Sequence, residues 1–486
     1  YMPLKTIYNI IHFGLMLGSL VFQFGCTETE PSNRPNIVFI LADDLGWMDL
    51  GYMGSVFYET PNLDKLASEG MVFTNAYAAS PICSPSRAAI LSGKHPARLH
   101  LTEWIPGNPP VKTEKLMAQP FKTELAIEEV TLAEAMGKAG YQTFFAGKWH
   151  LGGEPFYPEY QGFDINVGGN RTGHPSSYFS PYNNRQLPDG PVGEYLTDRL
   201  VDETISFIKK EREHPFFAFL SFYTVHLPLQ GKPEKVEKYR KKLENMNFNG
   251  EELVQQGATH FKNHQNDPVY AAMVESMDEN IGRLLESITE LGLDENTVVV
   301  FTSDNGGMST NRNPSPIPTS NLPLRAGKGY LYEGGIREPL IVSWPGRVVP
   351  GGRSDETVTG TDFYPTFLDL AGIKLMPEQH IDGNSLKPVF LNNEKIDRKT
   401  IFWHYPHYSG GLGGRPAGAV RLGKYKLIEF FENMEVQLYD LETDISEQYD
   451  LSSKMPVKTK EMKGLLHAWR KEVGAQMPIP NPDYKN

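Results

Sequence analysis

Four apolar runs along the chain are typical of β-strands that are buried on both faces. Each run leads within a few residues to polar side chains that are capable of catalysis or metal binding. Residues 36–41 lead to Asp43 and Asp44, 143–146 to Lys148 and His150, 216–223 to His226, and 297–302 to Asp304 and Asn305.

Helical patterns alternate with these strands. Thr131 and Glu134 have the spacing of a capping box, and Gly140 is placed to end that helix. Residues 197–210 and 269–291 carry apolar stripes at helical spacing. The alternation predicts an α/β domain with a mainly parallel sheet, in which binding sites gather beyond the carboxyl ends of the strands. We therefore expect the four polar strand ends to face one cleft.

From about residue 378 the pattern changes to short strands joined by turns. These strands are predicted at 401–405, 418–422, 425–430 and 437–441, and a final helix at 458–473. The change predicts a catalytic domain at 36–377 and a smaller α+β domain with an antiparallel sheet at 378–486. The polar, lysine-rich segment 227–268 is expected to be an insertion at the cleft rim or a solvated loop.

The first 26 residues are typical of an export signal. Lys5 precedes a mostly apolar stretch, 7–24, and Gly25-Cys26 resembles a bacterial lipoprotein cleavage site. We expect lipidation at Cys26, a polar tether at 27–35, and a location in the periplasm or on the outer membrane. Simple cleavage or a retained membrane anchor are the alternatives. A disulfide between Cys26 and Cys83 would tie this tether to the middle of the fold, so we expect none.

The composition and net charge of the chain limit the classes of partner that it can bind. The 486 residues are 40% hydrophobic, enough for a large core, and the net charge is -12. This charge argues against a nucleic-acid partner. If the substrate is anionic, positive charge must be concentrated locally in its pocket.

Two short motifs identify a family. Cys83-Ser84-Pro85-Ser86-Arg87 runs into a helical pattern that Gly93 can close, with Ser84 as the expected N-cap and Pro85 at the first helical position. Cys83 would then lie just outside the positive end of the helix. Gly147-Lys148-Trp149-His150-Leu151-Gly152 follows downstream. With these motifs the chain resembles the type I sulfatases of the alkaline phosphatase superfamily, whose fold has a large domain with a mostly parallel sheet and a smaller C-terminal domain.

The resemblance implies one divalent cation. Its ligands would be Asp43, Asp44, Asp304 and Asn305, with the modified Cys83 completing the shell. Such an all-oxygen set suits a hard cation, and the family resemblance favours Ca²⁺ over Mg²⁺.

The resemblance also implies that a maturation enzyme oxidises Cys83 to formylglycine (3-oxoalanine). One hydroxyl of its hydrate would attack sulfur, and loss of the proton from the other would expel sulfate. Arg87 would hold the hydrate and the acidic ligands, Lys148 would contact sulfate, and His150 would be the base. His226, followed by Pro228, would protonate the leaving oxygen, and Lys328 would bind the sulfate and the bridging oxygen.

The substrate is expected to be a sulfated carbohydrate, since the chain resembles bacterial sulfatases that act on glycans. Arg171 and His174, in a glycine-rich loop, are candidate substrate ligands, and the aromatic segment 403–408 offers rings for sugar stacking or for the core. Two alternatives stay open: a phosphoester or phosphonate hydrolase of the same superfamily, and a non-catalytic glycan-binding lipoprotein. Membrane association is expected only through the lipid.

Overall fold

The computed structural model describes residues 34–210 and 212–485. The predicted signal sequence, Cys26 and nearly all of the tether lie outside the described residues. Among the residues that are described, none of the helices has both the length and the apolar character needed to cross a membrane.

A large mixed sheet organises the chain. The strands in chain order are β1 (Asn36–Ala42), β2 (Met71–Tyr77), β3 (Leu116–Met117), β4 (Gln142–Gly147), β5 (Ile165–Val167), β6 (Phe216–Ser221), β7 (Leu253–Gln256), β8 (Thr259–Lys262), β9 (Thr297–Ser303), β10 (Thr310–Asn311), β11 (Arg337–Ser343), β12 (Gly352–Thr359), β13 (Thr400–Tyr405), β14 (Ala417–Leu422), β15 (Tyr425–Phe430), β16 (Val436–Asp440) and β17 (Ile479–Pro480). Eight of them form the sheet in the order β12-β2-β11-β9-β1-β6-β4-β5. Only β11 runs antiparallel to its neighbours within this sheet.

Helices pack on both faces of this sheet. The helices of the described residues, in chain order, are α1 (Pro61–Glu69), α2 (Cys83–Ser92), α3 (Pro96–Leu99), α4 (Leu132–Lys138), α5 (Leu196–Ile208), α6 (Pro233–Glu244), α7 (Pro268–Glu290), α8 (Glu333–Ile336), α9 (Phe363–Leu370), α10 (Lys387–Asn392) and α11 (Pro456–Glu472). Alternate residues of β1 belong to two separate apolar clusters: Val38 and Ile40 pack on one face, and Ile37 and Phe39 on the other. Burial on both faces explains why this strand is a continuous apolar run.

A second, antiparallel sheet follows, formed by β13 to β16 in sequence order. Helix α11 packs against it, with Met462 and Leu466 in the same apolar cluster as Val420 and Leu427. The predicted fold class, a large α/β part with a mostly parallel sheet and a smaller antiparallel part, is confirmed.

Segment 227–268 is not a solvated loop, because it contains α6 and the hairpin of β7 and β8. The alternative, an insertion at the cleft rim, stays a prediction. Only Val236 and Tyr239 of α6 are buried, so its apolar stripe is too narrow to stand out in the sequence. Lys235 and Lys238 pair with Glu275 of α7 instead, and such tertiary contacts leave no local pattern.

The predicted start of α2 was also wrong, by two residues. Ile82 is the N-cap and Cys83 is the first helical residue. The Ser84 hydroxyl does not cap the helix, because it accepts a hydrogen bond from the backbone N–H of Ile105 at 3.2 Å. Gly93 ends the helix in the left-handed conformation, with φ 67°, as its residue type predicts.

Candidate active site

The carboxyl ends of two adjacent parallel strands bring four oxygen-bearing side chains together. Asp43 and Asp44 follow β1, and Asp304 and Asn305 follow β9. One carboxylate oxygen from each of Asp43, Asp44 and Asp304 and the Sγ of Cys83 all lie within 4.8 Å of one another. The sequence therefore predicted correctly that these elements meet, because parallel strands end at one edge of their sheet.

The chemistry of this donor set fits a hard divalent cation. All four side chains are buried. The side-chain amide of Asn305 donates through Nδ2 to Asp44 Oδ1 at 2.8 Å, while its Oδ1 has no hydrogen-bond partner among the described residues. Burial raises the pKa of Asp43 to about 8, against the opposing charge of Lys148 and with the help of Asp304. Three crowded carboxylates and a free amide oxygen are a site where a cation is stabilised.

Cys83 begins α2 beside these carboxylates. Its Sγ lies 3.8 Å from Asp43 Oδ1 and 3.9 Å from Asp44 Oδ1. Burial raises the pKa of the Cys83 thiol to about 12, although Lys148 and Lys328 oppose the rise. The thiol is therefore protonated at neutral pH and is a poor nucleophile in this form.

Three cations surround the carboxylates. Arg87 donates through Nε to Asp304 Oδ2 at 2.8 Å, and its Nη1 donates to the carbonyl of Lys148 at 2.7 Å. Lys148 Nζ contacts both oxygens of Asp43 at 2.7–2.8 Å, and Lys328 Nζ contacts those of Asp44 at the same distances. The local positive charge that an anionic substrate requires is thus present in this otherwise acidic protein.

Lys148 and His150 follow β4 in a turn and not in an extended segment, in which residues two apart would face the same side. β4 ends at Gly147, and His150 takes a left-handed φ of 57°. Gly147 itself has φ 106°, and a Cβ there would lie 1.8 Å from the carbonyl oxygen of Ser221. A tight turn that requires glycine therefore replaces the extended segment.

The His150 ring is buried and its hydrogen bond fixes its tautomer. Nε2 lies 2.7 Å from the carbonyl oxygen of Ile105, which can only accept, so Nε2 carries the proton. Nδ1 has no hydrogen-bond partner among the residues that the structure describes. Burial and the ammonium of Lys148 hold the pKa of this ring well below its usual value. His150 is therefore a neutral imidazole with a free proton acceptor at Nδ1.

His226 follows β6 and faces Asp44. Its Nδ1 lies 2.9 Å from the Leu227 carbonyl oxygen, and its Nε2 lies 3.6 Å from Asp44 Oδ2. Burial and Lys328 lower the pKa of the ring, while Asp44 acts in the opposite direction. The ring of His174 stacks parallel to it, with centroids 6.2 Å apart.

A cavity of about 490 Å³ opens above these groups. Cys83, His150, His226 and Lys328 line it, together with both candidate substrate ligands, Arg171 and His174. Three other lining residues were not predicted: Trp104 and Asn108 from the loop after α3, and Ser409 from the loop after β13. Their local sequence carries no distinguishing pattern, and only the fold brings them to the site.

The aromatic segment differs from its prediction, and one further residue of the site was not predicted. Trp403 and Tyr405 of the aromatic segment are 1% exposed and belong to the core, so they are not sugar-stacking rings. Ser221 was not predicted: its hydroxyl accepts from Arg87 Nη1 at 2.6 Å and donates to the Lys148 carbonyl at 2.7 Å. A serine at the end of an apolar strand carries no distinguishing sequence signal.

Comparison with known proteins agrees with this arrangement. The sulfatase family model matches residues 35–373, and the model described as N-sulphoglucosamine sulphohydrolase, C-terminal, matches residues 326–472. A sulfatase of Formosa agariphila is 30% identical, covering 96% of this chain and 94% of its own length. The N-acetylgalactosamine-6-sulfatase of Rattus norvegicus is 34% identical, covering 85% of this chain and 74% of its own length.

The similarity extends to solved structures. The crystal structure of Ps i-CgsB in complex with k-i-k-neocarrahexaose has a TM-score of 0.73 and 30% identity, covering 90% of this chain and 92% of that one. The chain therefore belongs to the sulfatase family, as a type I sulfatase. It is a sulfuric ester hydrolase, and its family generally uses a divalent cation and a formylglycine residue.

Proposed function

We propose that this chain removes sulfate from a sulfated carbohydrate, with residue 83 acting as formylglycine and Ca²⁺ as the cation. The observation that carries the proposal is the convergence of Cys83 Sγ with oxygens of Asp43, Asp44 and Asp304 within 4.8 Å. A carbohydrate substrate is supported by two related proteins, one an N-acetylgalactosamine-6-sulfatase and one crystallised with k-i-k-neocarrahexaose.

Asp43, Asp44, Asp304 and Asn305 would hold the cation, and bound there it would supply positive charge that favours a deprotonated oxygen nucleophile. The aldehyde hydrate at residue 83, produced by a maturation enzyme, would supply two hydroxyl groups on one carbon. Arg87, which already binds Asp304, holds this acidic set in place.

The cations of the chain bind the sulfate group. Lys328 lines the cavity, and Lys148 lies behind it against Asp43. Fixed positive groups of this kind stabilise the charge that develops on sulfate oxygens, and losing one typically costs roughly 10²–10³ in rate.

The two histidines carry out different proton transfers. His150 accepts a proton at its free Nδ1, because Nε2 is occupied by the Ile105 carbonyl. His226 donates from Nε2 to the leaving oxygen, because its Nδ1 is occupied by the Leu227 carbonyl. The negative charge of a bound sulfate ester beside His226 raises the pKa of that ring and so favours the protonated form.

The first test combines mass and activity measurements. We expect the intact mass of native protein to be lower than the Cys83 form requires, because conversion replaces sulfur by oxygen. The matured protein should release sulfate from members of a panel of sulfated mono- and oligosaccharides, in a reaction that requires Ca²⁺. The Cys83→Ala variant should lose this activity.

Three outcomes would contradict the proposal: activity that survives Cys83→Ala, unmodified Cys83 in native protein, or greater activity on an aryl phosphate than on an aryl sulfate. The last would favour a phosphoester hydrolase. Material from a host without the maturation enzyme is unsuitable, so native or co-expressed protein is required.

We also propose that the chain is exported and held at a membrane by lipid on Cys26. The support is the sequence alone: Lys5, the apolar stretch 7–24 and Gly25-Cys26. The same mass measurement tests this, since the mature chain would begin at a lipidated residue 26. An N-terminus elsewhere would exclude it.

A further inference from the structure

A second cavity adjoins the active-site cavity. Its volume is about 270 Å³, and Arg171, Thr172 and His174 line both cavities. The loop that carries these three residues is therefore a shared wall between the two. The two cavities are therefore direct neighbours along this loop.

The second cavity is positively charged and polar. Arg171 and Arg185 line it with Asn183 and Tyr157, and the lining includes no aspartate or glutamate among the described residues. Within residues 34–210 and 212–485, neither guanidinium makes an ion pair or a side-chain hydrogen bond, and both side chains are exposed. The chain as a whole has 59 acidic and 47 basic residues, so an acid-free cavity with two arginines is unusual for it.

Hydrogen bonds fix the wall in position without any ligand. Asn170 Nδ2 donates to Asn184 Oδ1 at 2.7 Å, and Asn184 Nδ2 donates to the Gly168 carbonyl at 2.8 Å. The Asn170 carbonyl accepts from the backbone N–H of His150 at 3.1 Å. The two loops that form the cavity are thus tied to each other and to the proposed catalytic base, and a preformed cavity of this kind costs little to occupy.

We infer that the second cavity binds the neighbouring sugar of the same glycan, and that Arg185 recognises an anionic substituent on it, either a sulfate ester or a carboxylate. A guanidinium presents paired donors that match the oxygens of both groups. The inference rests on the proposed function, because it requires a sulfated saccharide in the first cavity. It predicts that the chain prefers oligosaccharides that carry a second negative charge over the sulfated monosaccharide.

The test compares wild-type protein with Arg185→Gln on four substrates that share one susceptible sulfated sugar. These are the monosaccharide and tetrasaccharides whose neighbouring sugar carries a sulfate, a carboxylate or no charge. We expect Arg185→Gln to lower the ratio of kcat/KM for a dianionic tetrasaccharide to that for the monosaccharide by about tenfold or more. The sulfate and carboxylate arms identify which group is recognised, and Arg185→Lys should recover part of the ratio.

The matched control is Arg240→Gln, at an exposed arginine of α6 that pairs with Glu237. It should leave every ratio at the wild-type value. An Arg185→Gln variant that lowers kcat/KM on all four substrates equally, or on none, would overturn the inference while leaving the proposed function intact. A wild-type protein that desulfates none of the four would instead refute the proposed function, and the inference with it.

Discussion

At the scale of single residues, the position of the proposed base depends on a glycine that no catalytic motif contains. A Cβ at Gly173 would lie 2.3 Å from His150 Cε1 and 2.6 Å from Nε2. The ring is buried and bound to Ile105, so Gly173→Ala must displace it. We expect kcat to fall about 10- to 100-fold with little loss of stability, because small misplacements of catalytic groups are costly. Steady-state kinetics and thermal unfolding measure the two effects.

Gly464→Ala is the matched control for this substitution. Gly464 is exposed within α11, and a Cβ there would meet no atom within 4 Å. We expect unchanged kinetics and a gain of about 0.5–1 kcal/mol in the free energy of unfolding, since alanine favours the helix. If Gly173→Ala kept wild-type kcat, close packing of this loop against the ring would have no part in catalysis.

At the scale of secondary-structure elements, the start of α4 is the clearest case where local sequence determines local structure. Thr131 Oγ1 accepts from the backbone N–H of Glu134 at 3.1 Å, and Glu134 Oε2 accepts from that of Thr131 at 2.8 Å. The predicted capping box is confirmed. Thr131→Ala should lower the free energy of unfolding by about 1 kcal/mol with unchanged kcat/KM, as measured by urea denaturation and kinetics.

Thr289→Ala provides the comparison, because Thr289 is an exposed residue in the last turn of α7 and caps nothing. It should be neutral or slightly stabilising, since alanine has the higher helix propensity. Equal destabilisation by the two substitutions would mean that loss of the threonine side chain, and not of the cap, is responsible.

The elements that could be predicted share one property: the sequence pattern that predicts each of them lies within its own residues. β1 and β9 are continuous apolar runs because both faces are buried. The polar pairs that follow them were predicted to meet because parallel strands end at one edge of their sheet. Helix α6 could not be predicted, since its buried stripe is narrow and its ion pairs with α7 and Glu59 leave no local sequence pattern. Ser221, Gly173 and Trp104 could not be assigned to the site because only the fold places them there.

At the scale of the whole molecule, buried polar groups connect the large sheet region to the smaller one. Lys426 of β15 forms ion pairs with Glu333 of α8 at 2.9 Å and with Glu447 at 3.0 Å, and all three side chains are fully buried. Sequence patterns predicted both sheets but gave no sign of these pairs, and Glu333 lies 93 positions before Lys426 in the chain. Fixing the two regions together also places Ser409 and Leu412 of the smaller region in the wall of the active-site cavity.

Glu103 at the same junction should make the stability of the molecule depend on pH. Its carboxyl accepts from the Trp104 backbone N–H at 2.9 Å and from the Tyr405 hydroxyl at 3.3 Å, and it is 2% exposed. Burial raises the pKa of Glu103 from 4.5 to about 8 despite these hydrogen bonds. Between these two values the folded protein keeps a proton that the unfolded chain releases, so the free energy of unfolding falls as pH rises from about 4.5 to about 8 and then levels.

Glu103→Gln isolates this contribution, because a neutral amide of similar shape cannot titrate. We expect the wild-type free energy of unfolding, relative to that of the variant, to fall by up to about 1.4 kcal/mol per pH unit across this window. Urea denaturation at closely spaced pH values measures the difference, and Glu128→Gln, at an exposed position, should show none. Parallel profiles for wild type and Glu103→Gln would mean that burial does not raise the pKa of Glu103, and that its carboxyl is ionised in the folded protein across this window.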